Sequence, residues 1–108
     1  MSDPGNDEST SDDDRRLDVL GDECARTILV ATSDSPRTAK ELTTLTDSSS
    51  ATVYRRINEL LSQDLITDCI RFETDGTHAT AYEATVDSVN VEITPDGIDV
   101  STRAIESG

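Results

Sequence analysis

With 108 residues, 33% of them hydrophobic, the sequence has material for a single modest core, and one small domain with ragged ends is expected. Its 23 acidic residues against 9 basic ones leave a net charge of −14, the reverse of the basic balance usual in nucleic-acid binders. No apolar run approaches the ~20 residues of a membrane span, and the acidic N-terminus fits no signal peptide, so a cytoplasmic location with no membrane contact is expected.

Residues 1–14, MSDPGNDESTSDDD, hold six acids, no base and one apolar side chain. They bury too little to offset the entropy of ordering and are read as a disordered acidic leader. From Leu17 a helical spacing begins: Leu17, Val19 and Leu20, then Cys24, Ala25, Ile28 and Leu29. Gly21 separates a short first helix from a second that starts near Asp22, where Asp22 and Glu23 suit the positive end of the helix dipole. Thr32-Ser33-Asp34-Ser35-Pro36 stops it. Thr38 with Glu41 three residues on has capping-box spacing and predicts a short helix from Ala39 to about Thr44, with Leu42 and Leu45 inward. Thr46-Asp47-Ser48 then turns the chain, without the glycine most such turns carry.

The stretch Asp47–Leu61 organises the rest. Serines able to accept from free backbone N–H groups open it, and Val53, Ile57, Leu60 and Leu61 follow at i, i+4, i+7 and i+8, one apolar stripe on a helix of about 49–63. The other face shows Ser50, Thr52, Arg55 and Arg56, with Tyr54 at its flank. Hydroxyls and guanidinium groups on one helix face suit base edges and phosphates. The plainer alternative is an amphipathic surface helix whose outer side is simply wet. Two helices joined by a short polar turn have helix-turn-helix geometry.

After Gln63-Asp64 the period changes. Leu65–Phe72 is rich in strand formers, Asp75-Gly76 favours a tight turn, and His78–Ala84 returns, a hairpin placed as a wing. Arg71, Thr77 and His78 are its candidate phosphate partners; the alternative for His78 is an exposed hairpin residue. Val86–Thr94 alternates as a half-buried strand, Pro95-Asp96-Gly97 turns, and Ile98–Thr102 alternates again. This second hairpin either extends the sheet, covers an edge or forms a dimer contact, and residues 104–108 fray. The expected class is α+β, a winged helix-turn-helix of three to four helices and a β-hairpin wing over 15–84, with an extra C-terminal β-hairpin and tail over 85–108.

The charge is unevenly placed. Residues 1–14 carry −6, residues 15–72 carry −1 with eight bases against nine acids, and residues 73–108 carry −7. An excess of Asp with a single lysine, Lys40, and few aromatics resembles proteins of salt-loving archaea. At molar salt the Debye length is ~3 Å, so distant acids scarcely repel a phosphate backbone. Cys24 and Cys69 stand far apart with no CxxC and one histidine in the chain, so no metal site is expected and both are read as reduced, buried thiols. His78 has no spaced nucleophilic partner and no Gly-rich phosphate loop exists, so an enzyme is not expected.

Val19–Leu29, Ala39-Lys40-Glu41-Leu42, Thr52–Leu60 and the passage Leu61-Ser62-Gln63-Asp64-Leu65-Ile66 together resemble ArsR-like winged helix-turn-helix regulators, the small haloarchaeal members above all, over about residues 17–84. The resemblance implies a dimeric transcription regulator that binds double-stranded DNA with one helix per subunit in successive major grooves. It places groove-facing residues at Ser49, Ser50, Thr52, Tyr54, Arg55 and Arg56; with Thr38, Arg71, Thr77 and His78 they form the candidate DNA-contact set. The family's metal sensors carry cysteines before the turn. Glu41–Thr46 has none, so neither metal nor cofactor is implied, and any small-molecule effector is unknown. The C-terminal hairpin departs from the family's helical dimer element. The rival reading from another class is a winged-helix adaptor that binds protein and not DNA.

Overall fold

The computed structural model describes the backbone of residues 7–105 and the side chains of residues 13–105. Along the chain run α1 (Asp7–Leu20), α2 (Glu23–Asp34), β1 (Arg37–Thr38), α3 (Ala39–Thr46), α4 (Ser50–Ser62), β2 (Ile66–Phe72), β3 (His78–Ala84), β4 (Val86–Thr94) and β5 (Gly97–Ala104). The expected α+β class is what is found: four helices with two small antiparallel sheets.

Side-chain caps set the helix starts. Asp22 Oδ2 accepts from the Ala25 N–H at 2.8 Å and opens α2. Thr38 and Glu41 form the capping box reciprocally, at 3.2 Å and 3.0 Å, and open α3. Ser49 accepts from the Thr52 N–H at 3.2 Å and opens α4. The turn between α3 and α4 works without glycine because Asp47 takes the left-handed conformation itself, at φ 59°. Asp and Asn tolerate that region better than other side-chain-bearing residues, through local hydrogen bonds.

Ile28 of α2, Leu42 of α3, and Val53, Ile57 and Leu60 of α4 meet Leu65 in the core, each with at most 1% of its surface exposed. Burial of each contributes roughly 1.5–3 kcal/mol, and this seam fixes how α4 is rotated. β2 and β3 pair from Ile66↔Ala84 to Phe72↔His78, with Gly76 at φ 87° in the connecting turn. β1 adds a third strand through Arg37↔Tyr82 and Thr38↔Ala81, giving the order β1-β3-β2. β4 and β5 form a separate two-stranded sheet, so the second hairpin does not extend the first sheet.

The backbone of α1 begins at Asp7, within the stretch read as a leader, and residues 1–6 lie outside the described ones. Three expectations need correction. Leu45 is 50% exposed, because three residues of helix turn it ~60° away from Leu42, towards Val30 of α2. Val91 and Ile93 are not half-buried; they are 46% and 82% exposed, because among the described residues no element covers that end of the hairpin. Ala104 ends β5 and the Ile105 N–H bonds Thr85 O at 2.9 Å, so the tail is tied down through residue 105, with 106–108 outside the described residues.

Candidate nucleic-acid interface

The core contacts of Val53, Ile57 and Leu60 turn the opposite side of α4 outward. Ser50, Ala51, Tyr54, Arg55, Asn58 and Ser62 are exposed there. The single acid of α4, Glu59, lies one turn beyond Arg55 with 41% of its side chain exposed, and its charge is paired with Arg56. Asn58, one turn beyond Arg55 and Tyr54, was missed by the sequence reading. Its signal was the exposed i+4 position relative to Tyr54, and an amide there suits the donor–acceptor edge of adenine.

The two neighbouring arginines have different surroundings. Arg55 is exposed, and no ion pair involves it among the described residues. Arg56 is turned inward: Nη1 donates to Glu59 Oε1 at 2.9 Å and Nη2 lies 3.0 Å from Asp22 Oδ1. Its Nε is buried with no hydrogen-bond partner among the described residues. Because Asp22 also caps α2, Arg56 ties the outer helix to the start of α2. The carboxylates hold the Arg56 pKa above its ordinary value, Glu59 first, and the Ala25 N–H foremost with the Arg56 charge hold Asp22 below its own.

Arg71 is more fully enclosed. Nη1 donates to Glu41 Oε1 at 2.8 Å and to Pro36 O at 3.2 Å; Nη2 donates to Glu41 Oε2 at 2.8 Å and to Glu73 Oε1 at 2.9 Å; Nε reaches Glu73 Oε1 at 3.3 Å. All five guanidinium N–H groups are thereby satisfied. This arginine fastens the β2–β3 hairpin to the start of α3 and has no donor left over for a phosphate.

The remaining candidates divide in the same way. The Ser49 hydroxyl caps α4 and donates to Thr52 Oγ1 at 3.0 Å, which leaves Thr52 half-buried beside it. Thr38 is occupied as the α3 cap. Thr77 is held by Asp75, through Oγ1 at 2.6 Å and its N–H at 3.0 Å, so it shapes the hairpin turn. His78 is exposed and meets Phe72 edge to face at 4.5 Å. Tyr54 lies towards Tyr82 of β3, whose hydroxyl is pushed to a higher pKa by burial and then by the charges of Tyr54 and Asp68. The structure thus leaves Ser50, Tyr54 and Arg55 exposed on α4, holds Thr52 half-buried against Ser49, sets His78 apart on the hairpin, and gives Thr38, Ser49, Arg56, Arg71 and Thr77 internal partners.

Cys24 and Cys69 are unpaired and half-buried, and burial with the Glu83 and Asp68 charges raises the Cys69 pKa. Among the described residues, no three His, Cys, Asp or Glu side chains gather as metal ligands, and no helix is long and apolar enough to cross a membrane. Compared with known proteins, the chain matches no family model and no curated sequence.

Proposed function

We propose that the protein binds double-stranded DNA in a sequence-specific manner as a homodimer and regulates transcription, as an ArsR-like winged helix-turn-helix protein with α4 in the major groove and the β2–β3 hairpin near the backbone. The observation that carries this reading is the open outer face of α4, whose one carboxylate, Glu59, is paired with Arg56. There Arg55 supplies the charge, and Ser50, Tyr54 and Asn58 supply adaptable polar contacts on a helix whose inner side is anchored in the core. Such a face has the donor and acceptor groups that base edges require. Net charge governs solubility and association more than fold, so an acidic chain retains a neutral reading face at high salt.

The test is selection of bound sequences from a random duplex pool in molar KCl, followed by mobility shifts on the enriched site. Arg55→Ala is expected to weaken binding to that site by ~1–3 kcal/mol and relax one base position. No enrichment, or an unchanged shift with Arg55→Ala and Asn58→Ala, overturns the reading.

A second reading, a protein-binding adaptor, is favoured by one observation: Ile70 and Phe72 stand 60% and 72% exposed on the hairpin that would otherwise meet phosphates. Loss of a protein partner with Phe72→Ser, alongside unselective DNA binding, would support it.

A further inference from the structure

β2 is an outer strand of its sheet, in the order β1-β3-β2. Natural edges are shortened, bulged, or blocked with proline or lysine, because their open N–H and C=O groups invite another chain. β2 has none of these devices. Ile66–Phe72 runs seven residues without proline or lysine, and its register against β3 holds without a shift.

The ladder fixes which groups are open. The Thr85 N–H donates to Leu65 O at 3.0 Å and the Glu73 N–H to Thr77 O at 2.8 Å, at the two ends of the β2–β3 register. Hydrogen-bonded pairs alternate along an antiparallel ladder, so Thr67, Cys69 and Arg71 turn their backbone groups to β3. The N–H and C=O groups of Asp68, Ile70 and Phe72 point the other way, and among the described residues no strand lies beyond them. The side chains of these same three residues share one face of the strand and are exposed.

Charge selects what fits this edge. Asp68 has no ion pair among the described residues, while its neighbour Arg71 is engaged by Glu41 and Glu73. Burial first, and then the Glu83 and Asp68 charges, raise the Cys69 pKa, so the middle of β2 lies in a negative field. Open carbonyls and a free carboxylate disfavour phosphate along this edge. A second copy pairing β2 with β2 brings no cation either, because the residues turned outward are Ile66, Asp68, Ile70 and Phe72.

We infer that the open edge of β2 takes an extended segment of another protein as an added strand, with apolar side chains at two alternate positions beside Ile70 and Phe72 and a lysine or arginine at the next alternate position beside Asp68. Main-chain hydrogen bonds supply affinity in this mode, and alternate side chains supply the choice of partner. Five residues of added strand, ~17 Å, cover Asp68 to Phe72.

This contact goes beyond the DNA-binding reading, and its test uses no DNA, so the two fail separately. The full chain in molar KCl selects from a random dodecapeptide display library, and one enriched peptide is synthesised and titrated while amide exchange is followed by NMR. Enriched peptides are expected to alternate apolar residues with a lysine or arginine at the next alternate position, and binding to slow exchange at Asp68, Ile70 and Phe72. Ile70→Pro deletes an outward N–H that β3 does not use and is expected to weaken binding at least ~10-fold. Asp68→Lys, at an exposed position, is expected to weaken it at least ~3-fold and to shift the selection to acidic peptides. No enrichment, or binding that leaves the three amides and the Asp68→Lys affinity unchanged, overturns the inference. So does concentration-dependent protection of those amides in the free chain, which assigns the edge to a second copy.

Discussion

Arg71 and Glu41, 30 residues apart, meet as two parallel hydrogen bonds of 2.8 Å between a guanidinium and a carboxylate. Glu41 at the same time accepts the Thr38 N–H that closes the α3 capping box. One carboxylate therefore serves the start of α3 and the placement of the β2–β3 hairpin together.

That shared role sets a pH dependence. The Arg71 hydrogen bonds first, and the Thr38 N–H second, hold the Glu41 pKa at about 2, against an ordinary 4.5. A folded-state pKa below the unfolded one contributes stability that is complete above pH 4.5 and lost as the pH falls through 2. Glu41→Gln keeps the capping geometry but has no charge to lose. Its urea midpoint is expected to fall less steeply than wild type between pH 4.5 and 2; equal slopes would show that the pair contributes nothing measurable.

Arg55 and Arg56 adjoin in sequence and part in structure, so their alanine variants should part as well. Arg56→Ala strips Asp22 and Glu59 of a partner and is expected to cost about 1 kcal/mol of stability, the upper range for partly exposed pairs. Arg55→Ala is expected to leave chemical denaturation within ~0.5 kcal/mol of wild type, as surface changes do, while weakening DNA binding. A stability loss from Arg55→Ala equal to that of Arg56→Ala would contradict the assigned surroundings.

The helical part was legible because local rules agree there. Asp22, Thr38 and Ser49 announce helix starts, and the Val53–Ile57–Leu60 spacing names the buried side of α4. What escaped was set by distant partners. β1 is two residues long and exists because Tyr82 and Ala81 lie opposite it. The Arg56–Glu59 spacing is a local i,i+3 pair, but nothing local ties Arg56 to Asp22 or marks Arg71 as internal, since Asp22, Glu41 and Pro36 reach them from elsewhere in the chain. The C-terminal hairpin misled in the other direction: its alternation predicted burial, and the face it created is largely uncovered at the tip within one chain.

The left-handed Asp47 gives a backbone prediction. That conformation costs a side-chain-bearing residue ~1–2 kcal/mol, with Asp among the least penalised, and glycine escapes the penalty. Asp47→Gly is expected to match or exceed wild-type stability, and Asp47→Val, β-branched, to lose at least ~1 kcal/mol by thermal unfolding. A Val variant as stable as wild type would mean that the α3–α4 turn is not held at φ 59°.

Salt dependence follows from how few cations α3 and α4, the pair proposed to face DNA, keep. Across α3 and α4 the bases are Lys40, Arg55 and Arg56, and Arg56 is engaged by Asp22 and Glu59. Lys40 and Arg55 remain, which in a dimer makes four cations. Each phosphate neutralised on duplex DNA contributes about −0.9 to the slope of log K against log salt concentration, so the slope is expected to be no steeper than about −4. Arg55→Ala should flatten it by up to about 2 if the residue contacts phosphate, and should leave it unchanged while relaxing selectivity if it contacts a base. A slope near −10 would require cations drawn from elsewhere, such as Arg26 and Arg37 beside Leu45, and would overturn the proposal that α4 meets the duplex.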